Sequence, residues 1–125
     1  MHHYDPTFSP PAPCINLIVH HPSDPTKAVP GRRKLDTGAD LCVIPQRLVT
    51  ELQLLLVDEI AARAYDGTLF TRPMYIVSIE VAGHWINNVP AIAVQRKDVL
   101  LGRNVLNHLT ITLKGKDLIF ELRDP

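Results

Sequence analysis

Asp36-Thr37-Gly38-Ala39-Asp40, answered some sixty residues later by Leu100-Leu101-Gly102-Arg103-Asn104, is the pair of segments on which the reading of this 125-residue chain turns. Asp, Thr and Gly are all common in turns, and the bare tripeptide arises by chance in roughly one chain of this length in a few tens. Context raises its weight: apolar residues lead into the second segment, a helix-like stretch follows it, and the chain holds a single Asp-Thr-Gly. Gly38 admits a close backbone approach and the Thr37 hydroxyl can hydrogen-bond across to a neighbour, so the pattern predicts a tight, rigid loop that presents the Asp36 carboxylate.

Working outward, the surrounding sequence reads as short strands. Ile15, Leu17, Ile18 and Val19 mark a first strand from Cys14 to Val19, broken by Pro22-Ser23-Asp24-Pro25, and a second strand runs toward Asp36. Leu41 to Ile44 reads as a buried strand, and Pro45 suits the first position of a helix through about Leu55, with Leu48, Leu52 and Leu55 on one face. Two strand-like runs, Val57 to Tyr65 and Thr68 to Val81, meet at Asp66-Gly67, a dipeptide that predicts a two-residue hairpin turn with positive φ at both positions. A further hairpin is expected about Ala82-Gly83-His84, a short helix over Arg103 to Leu109, and a last hairpin about Lys114-Gly115-Lys116-Asp117. Residues 1–13, with Pro6, Pro10, Pro11 and Pro13, are expected to form a proline-rich arm, and residues 14–125 the domain proper.

Composition excludes several classes. The 13 basic and 13 acidic residues balance, so no field draws the chain to nucleic acid or to an anionic membrane. No apolar run approaches the roughly 18 residues that span a bilayer, and Met1-His2-His3-Tyr4-Asp5-Pro6 lacks the basic head and apolar stretch of a secretory signal. A soluble, cytoplasmic protein is expected. Cys14 and Cys42, the only two cysteines, read as buried or idle free thiols rather than a disulfide framework. His20-His21 cannot alone supply a tetrahedral metal site and reads as a surface pair.

Hydrolysis by carboxylates needs two of them in contact sharing one proton, so that one activates a water while the other donates to the carbonyl. One Asp-Thr-Gly supplies one such carboxylate. With these residues in view, the chain resembles the retroviral-type aspartic proteases, the retropepsins, over roughly Ile15 to Leu122. The resemblance implies an all-β, closed barrel-like fold with one or two short helices, acting as a homodimeric endopeptidase on peptide or protein substrates, with no cofactor and no metal. It implies a catalytic set of Asp36, Thr37 and Gly38, with Asp36 of each protomer meeting at a two-fold axis. Ala39 and Asp40 would contact substrate, as would Tyr65, Asp66 and Gly67 at the tip of a flap. Leu101, Gly102 and Arg103 would support the loop from behind, Arg103 pairing with Asp40.

Two departures from the family pattern stand out. The strand entering the loop, usually apolar, reads Arg32-Arg33-Lys34-Leu35; strand alternation puts Lys34 on the face of Asp36 and Arg33 on the other, so Lys34 is expected to line the substrate cleft, there either favouring acidic substrate side chains or holding a positive charge that depresses the pKa of the carboxylate pair. Ala39 stands where pepsin-like relatives carry a hydroxyl that favours the ionised carboxylate, which predicts a mildly acidic optimum, less acidic than pepsin's. The rival reading keeps dimer and groove but uses them as a catalytically weak or silent peptide-binding or assembly module, because fold does not secure function.

Overall fold

Strand β6 (Leu69–Val81) shows how the pattern builds the sheet: Tyr75, Val77, Ile79 and Val81 alternate along it and are all buried. A period of two places such residues on one face. The structure, a computed structural model, describes residues 1–63 and 66–123. Its other strands are β1 (His2–Asp5), β2 (Ala12–His21), β3 (Asp24–Leu35), β4 (Cys42–Pro45), β5 (Leu56–Arg63), β7 (His84–Val94), β8 (Leu100–Leu101), β9 (Thr110–Lys114) and β10 (Ile119–Arg123), with helices α1 (Gln46–Leu52) and α2 (Arg103–Leu106). β2 pairs with β3 on one side and β6 on the other, so β6, β7, β4, β8, β3 and β2 close into a ring of hydrogen bonds. β5 extends the sheet beyond β6, while β1, β10 and β9 extend it beyond β2. The fold is all-β and retropepsin-like.

The ring encloses Val19, Ile44, Leu48, Val77, Ile79, Val99, Leu101 and Val105, none exposed by more than about 1%. Burying each such side chain stabilises the fold by about 1.5–3 kcal/mol. Phe120 seals the far side against Tyr4 and His2, with ring centroids 5.9 and 5.2 Å away. The register that matters for the site is at β8. Lys34 and Leu35 of β3 pair in parallel with Leu100 and Leu101, and Val43 of β4 pairs antiparallel with Leu100. The strand that enters the Asp36 loop and the strand that leaves it thus lie on either side of one dipeptide. Among the described residues no helix is long and apolar enough to cross a membrane.

Several local expectations are corrected. Pro45 is the extended cap before α1 (ψ 141°), and the helix stops at Leu52 because Gln53 turns left-handed (φ 55°). Its N–H and that of Leu54 then satisfy the free carbonyls of Thr50 and Val49. This unwinding turns Leu54 into the core and leaves Leu55 79% exposed, off the face formed by Leu48 and Leu52. Helix α2 ends at Leu106, short of Leu109. At Asp66-Gly67, Gly67 has positive φ (87°), and the register that sets Arg63 opposite Leu69 leaves an odd number of residues between them, which a two-residue turn does not fit. Asp66 holds the connection by accepting the Thr68 N–H at 2.9 Å, as Arg63 donates to the Gly67 carbonyl at 3.2 Å. The hairpin with two positive-φ turn residues is the next one, where Ala82 (φ 50°) and Gly83 (φ 78°) join Val81 to its partner His84. His20 is buried, not at the surface: a bulge between His20 and His21 turns its ring inward, 4.3 Å from that of Trp85, with Nδ1 2.9 Å from the Pro25 carbonyl.

Candidate active site

The Asp36 loop is fixed from below by main-chain hydrogen bonds to the second motif. Asp36 N–H donates to the Leu101 carbonyl at 3.0 Å, and Arg103 N–H donates to the Ala39 carbonyl at 2.9 Å. Within the loop, Ala39 N–H returns to the Asp36 carbonyl at 3.2 Å, closing a tight turn. Gly38 N–H donates to Asp36 Oδ1 at 2.9 Å, which orients the carboxylate through its own backbone two residues on. Asp36 is half-buried, while Thr37 and Gly38 are exposed.

Side chains add a second set of ties. The Arg103 guanidinium donates to the Thr37 carbonyl at 2.9 Å and pairs with Asp40, so one planar fork holds both arms of the loop. Both partners of the ion pair are well exposed, so its value lies in placing the loop more than in stability. Asn104 Oδ1 accepts the Cys42 N–H at 3.0 Å and its Nδ2 donates to the Pro90 carbonyl at 2.7 Å, which joins α2 to the strands on both sides. Gly102 is required by space: a Cβ there would lie 2.4 Å from the Leu41 carbonyl oxygen, a backbone atom that cannot swing aside. Its N–H instead reaches Cys42 Sγ at 3.4 Å. Cys42 is fully buried, and burial pushes its thiol up to about 11. Cys14 is likewise a buried free thiol, raised by burial.

Two cavities flank the loop. One, of about 460 Å³, runs between Gly38, Ala39 and Asp40 on the loop and Ile60 and Arg63 on β5, so the β5–β6 hairpin forms a wall over it. The other, of about 360 Å³, opens at the Asp36 carboxylate and is walled by Lys34, Phe8, Arg96 and Leu100. Lys34 therefore faces the same space as Asp36, while Arg33 is buried on the opposite face, donating to the Arg32 carbonyl at 2.9 Å and lying 3.9 Å from Asp98. Asp66 and Gly67 sit at the distal end of the hairpin and do not line either cavity; Tyr65 lies outside the described residues. Phe8 and Arg96 are the site residues that motif reading passes over, since they reach the site only through the fold. Asn104 ends the second motif, but the motif alone gives it no partner. Among the described residues no cluster of metal-ligating side chains occurs.

No curated protein matches the chain. A family model does: residues 28–108 match the family described as gag-polyprotein putative aspartyl protease. The match takes in both motifs and the hairpin between them, well over half of the 125 residues. A single Asp-Thr-Gly loop clamped from behind by Leu101, Gly102 and Arg103 is thus embedded in a ring of strands that matches this family along most of its length, and the chain belongs to the gag-type aspartyl protease family.

Proposed function

We propose that the protein is an aspartic endopeptidase whose active site is completed by a second copy of the chain, with Asp36 of each protomer facing the other across a two-fold axis. The observation that carries this reading is the single Asp-Thr-Gly carboxylate: Asp36 is held by Gly38 N–H on a loop tied to the second motif, with one cavity beside it and another along Gly38, Ala39 and Asp40. The exposure of Thr37 and Gly38 supports it, since a partner would cover them. Two carboxylates in contact disfavour a second charge, so the working state of the pair holds one shared proton.

In that state the ionised Asp36 takes a proton from a water, which attacks the peptide carbonyl, while the protonated Asp36 donates to the carbonyl oxygen. The resulting gem-diol collapses with cleavage of the C–N bond as the Asp36 that took the water proton passes it to the leaving nitrogen and the other Asp36 takes one from a gem-diol hydroxyl, returning the pair to one shared proton. An extended peptide would lie between the loop and β5, adding main-chain hydrogen bonds, with the β5–β6 hairpin acting as the flap. Asp40, Ala39 and the hairpin supply contacts along the peptide. The test is hydrolysis of a peptide mixture by wild type and by Asp36→Asn: cleavage confined to wild type supports the proposal, and equal cleavage by both removes Asp36 from the chemistry.

A further inference from the structure

The cavity beside Asp36 holds more charge than the hydrolytic step uses. Six charged residues line it: Asp5, Arg32, Lys34, Asp36, Arg96 and Asp98. Two of the carboxylates are already engaged. Asp5 accepts from Arg32 at 3.3 Å and from the Thr7 hydroxyl and N–H at 2.6 and 2.9 Å, and Asp98 faces the buried Arg33 at 3.9 Å. Lys34 and Arg96 have no carboxylate within 4.0 Å among the described residues. The Lys34 ammonium instead rests over the Phe8 ring, 5.2 Å from its centroid, which steadies the cation without neutralising it. Arg96 is carried by a loop fastened just after it, through Lys97, whose carbonyl accepts from Arg47 at 3.3 Å, and through Asp98, 3.9 Å from Arg33.

We infer that this cavity is a subsite for an acidic side chain of the substrate, aspartate or glutamate, bound by Lys34 and Arg96 next to the bond that is cut. The inference rests on the peptidase reading and names its substrate class. The volume of about 360 Å³ has room for a side chain, and Phe8 and Leu100 offer apolar walls to its methylene stem. A carboxylate entering here meets two cations that lack a partner, whereas an apolar side chain would strip water from both with nothing in return. A lysine or arginine would meet the same two cations, with Asp36 the one lining carboxylate outside the ion pairs of the described residues. Discrimination is therefore strongest between glutamate and its neutral isostere glutamine, where shape is constant.

The experiment uses a degenerate octapeptide library in two arms. In the first, the library is retained on immobilised Asp36→Asn protein and the bound pool sequenced; in the second, the same library is digested by wild type. We expect the bound pool to favour Asp and Glu over Asn and Gln by about tenfold at one position, equivalent to about 1.4 kcal/mol. Adding Lys34→Gln and Arg96→Gln to the immobilised protein removes that preference, and Lys34→Glu turns it toward Lys and Arg. Melting curves confirm that each variant is folded. Retention without acidic preference, or no retention, overturns the subsite. Acid-selective retention with no digestion by wild type leaves the subsite standing and removes the peptidase; digestion without acidic preference does the reverse.

Discussion

Asn104 accepts a hydrogen bond from the Cys42 N–H at 3.0 Å across 62 positions of sequence, tying α2 to the strand that leaves the Asp36 loop. The same amide donates to the Pro90 carbonyl at 2.7 Å, so one side chain satisfies backbone groups on β4 and β7. Asn104→Leu removes both bonds and strands a buried donor, which should lower unfolding free energy by roughly 2–4 kcal/mol. Asn104→Asp keeps the acceptor and loses the donor, so it should fall between the two. Equilibrium urea unfolding of the three proteins checks this order; a Leu variant within about 0.5 kcal/mol of wild type contradicts it.

Arg103→Lys separates placement from stability. Lysine keeps the charge beside Asp40 but cannot fork to the Thr37 carbonyl at the same time. Because the ion pair is exposed, the melting temperature should move little, by the equivalent of less than about 1 kcal/mol. Turnover should nevertheless fall by roughly tenfold or more as the loop loses its position. Calorimetry paired with peptide kinetics reads the two effects separately, and a loss of stability in proportion to activity would argue for a merely structural role.

The Cys42 thiol gives the protein an alkaline weakness. Its folded value of about 11 lies above the ordinary 9.0, with burial as the first cause and the Gly102 N–H opposing it. The unfolded chain therefore loses this proton first as pH rises. The stabilisation is complete below pH 9 and is lost progressively as pH climbs through 11. Wild type should lose roughly 2–3 kcal/mol relative to Cys42→Ala between pH 8 and 12, measured by urea unfolding at each pH. A constant difference between the two proteins across that range would contradict the assignment.

Ala39→Ser probes the acid limb of activity. Gly38 N–H is the hydrogen bond that the described residues supply to the Asp36 carboxylate, and a serine hydroxyl would add a second donor. A further donor favours the ionised form, so the acid limb of the pH–rate profile should move to lower pH. Superimposable profiles of wild type and variant would count against a role for position 39.

The Asp36 loop is legible in sequence because its geometry is local: Asp36, Thr37 and Gly38 form the turn from their own backbone, and Gly102 announces a close approach. Strand alternation likewise suffices to put Lys34 on the Asp36 side and Arg33 in the interior. What escapes is decided by distant partners. The end of α1 depends on Gln53 entering a left-handed conformation that its side chain does not favour, and this alone reverses the fate of Leu55. Turn dipeptides also mislead in competition: Asp66-Gly67 carries the stronger signal, yet strand register gives the tight turn to Ala82-Gly83. Phe8 and Arg96 join Asp36 only because β1, β3 and the loop after β7 converge.

A two-chain active site is tested most directly by mixing wild type with an excess of Asp36→Asn protein and allowing subunits to exchange. If both carboxylates are needed, only pairs of wild-type chains cut, and a threefold excess of the variant leaves about one quarter of the activity per wild-type chain by random pairing. Activity per wild-type chain that stays constant at every ratio would show that one Asp36 suffices and would contradict the shared site.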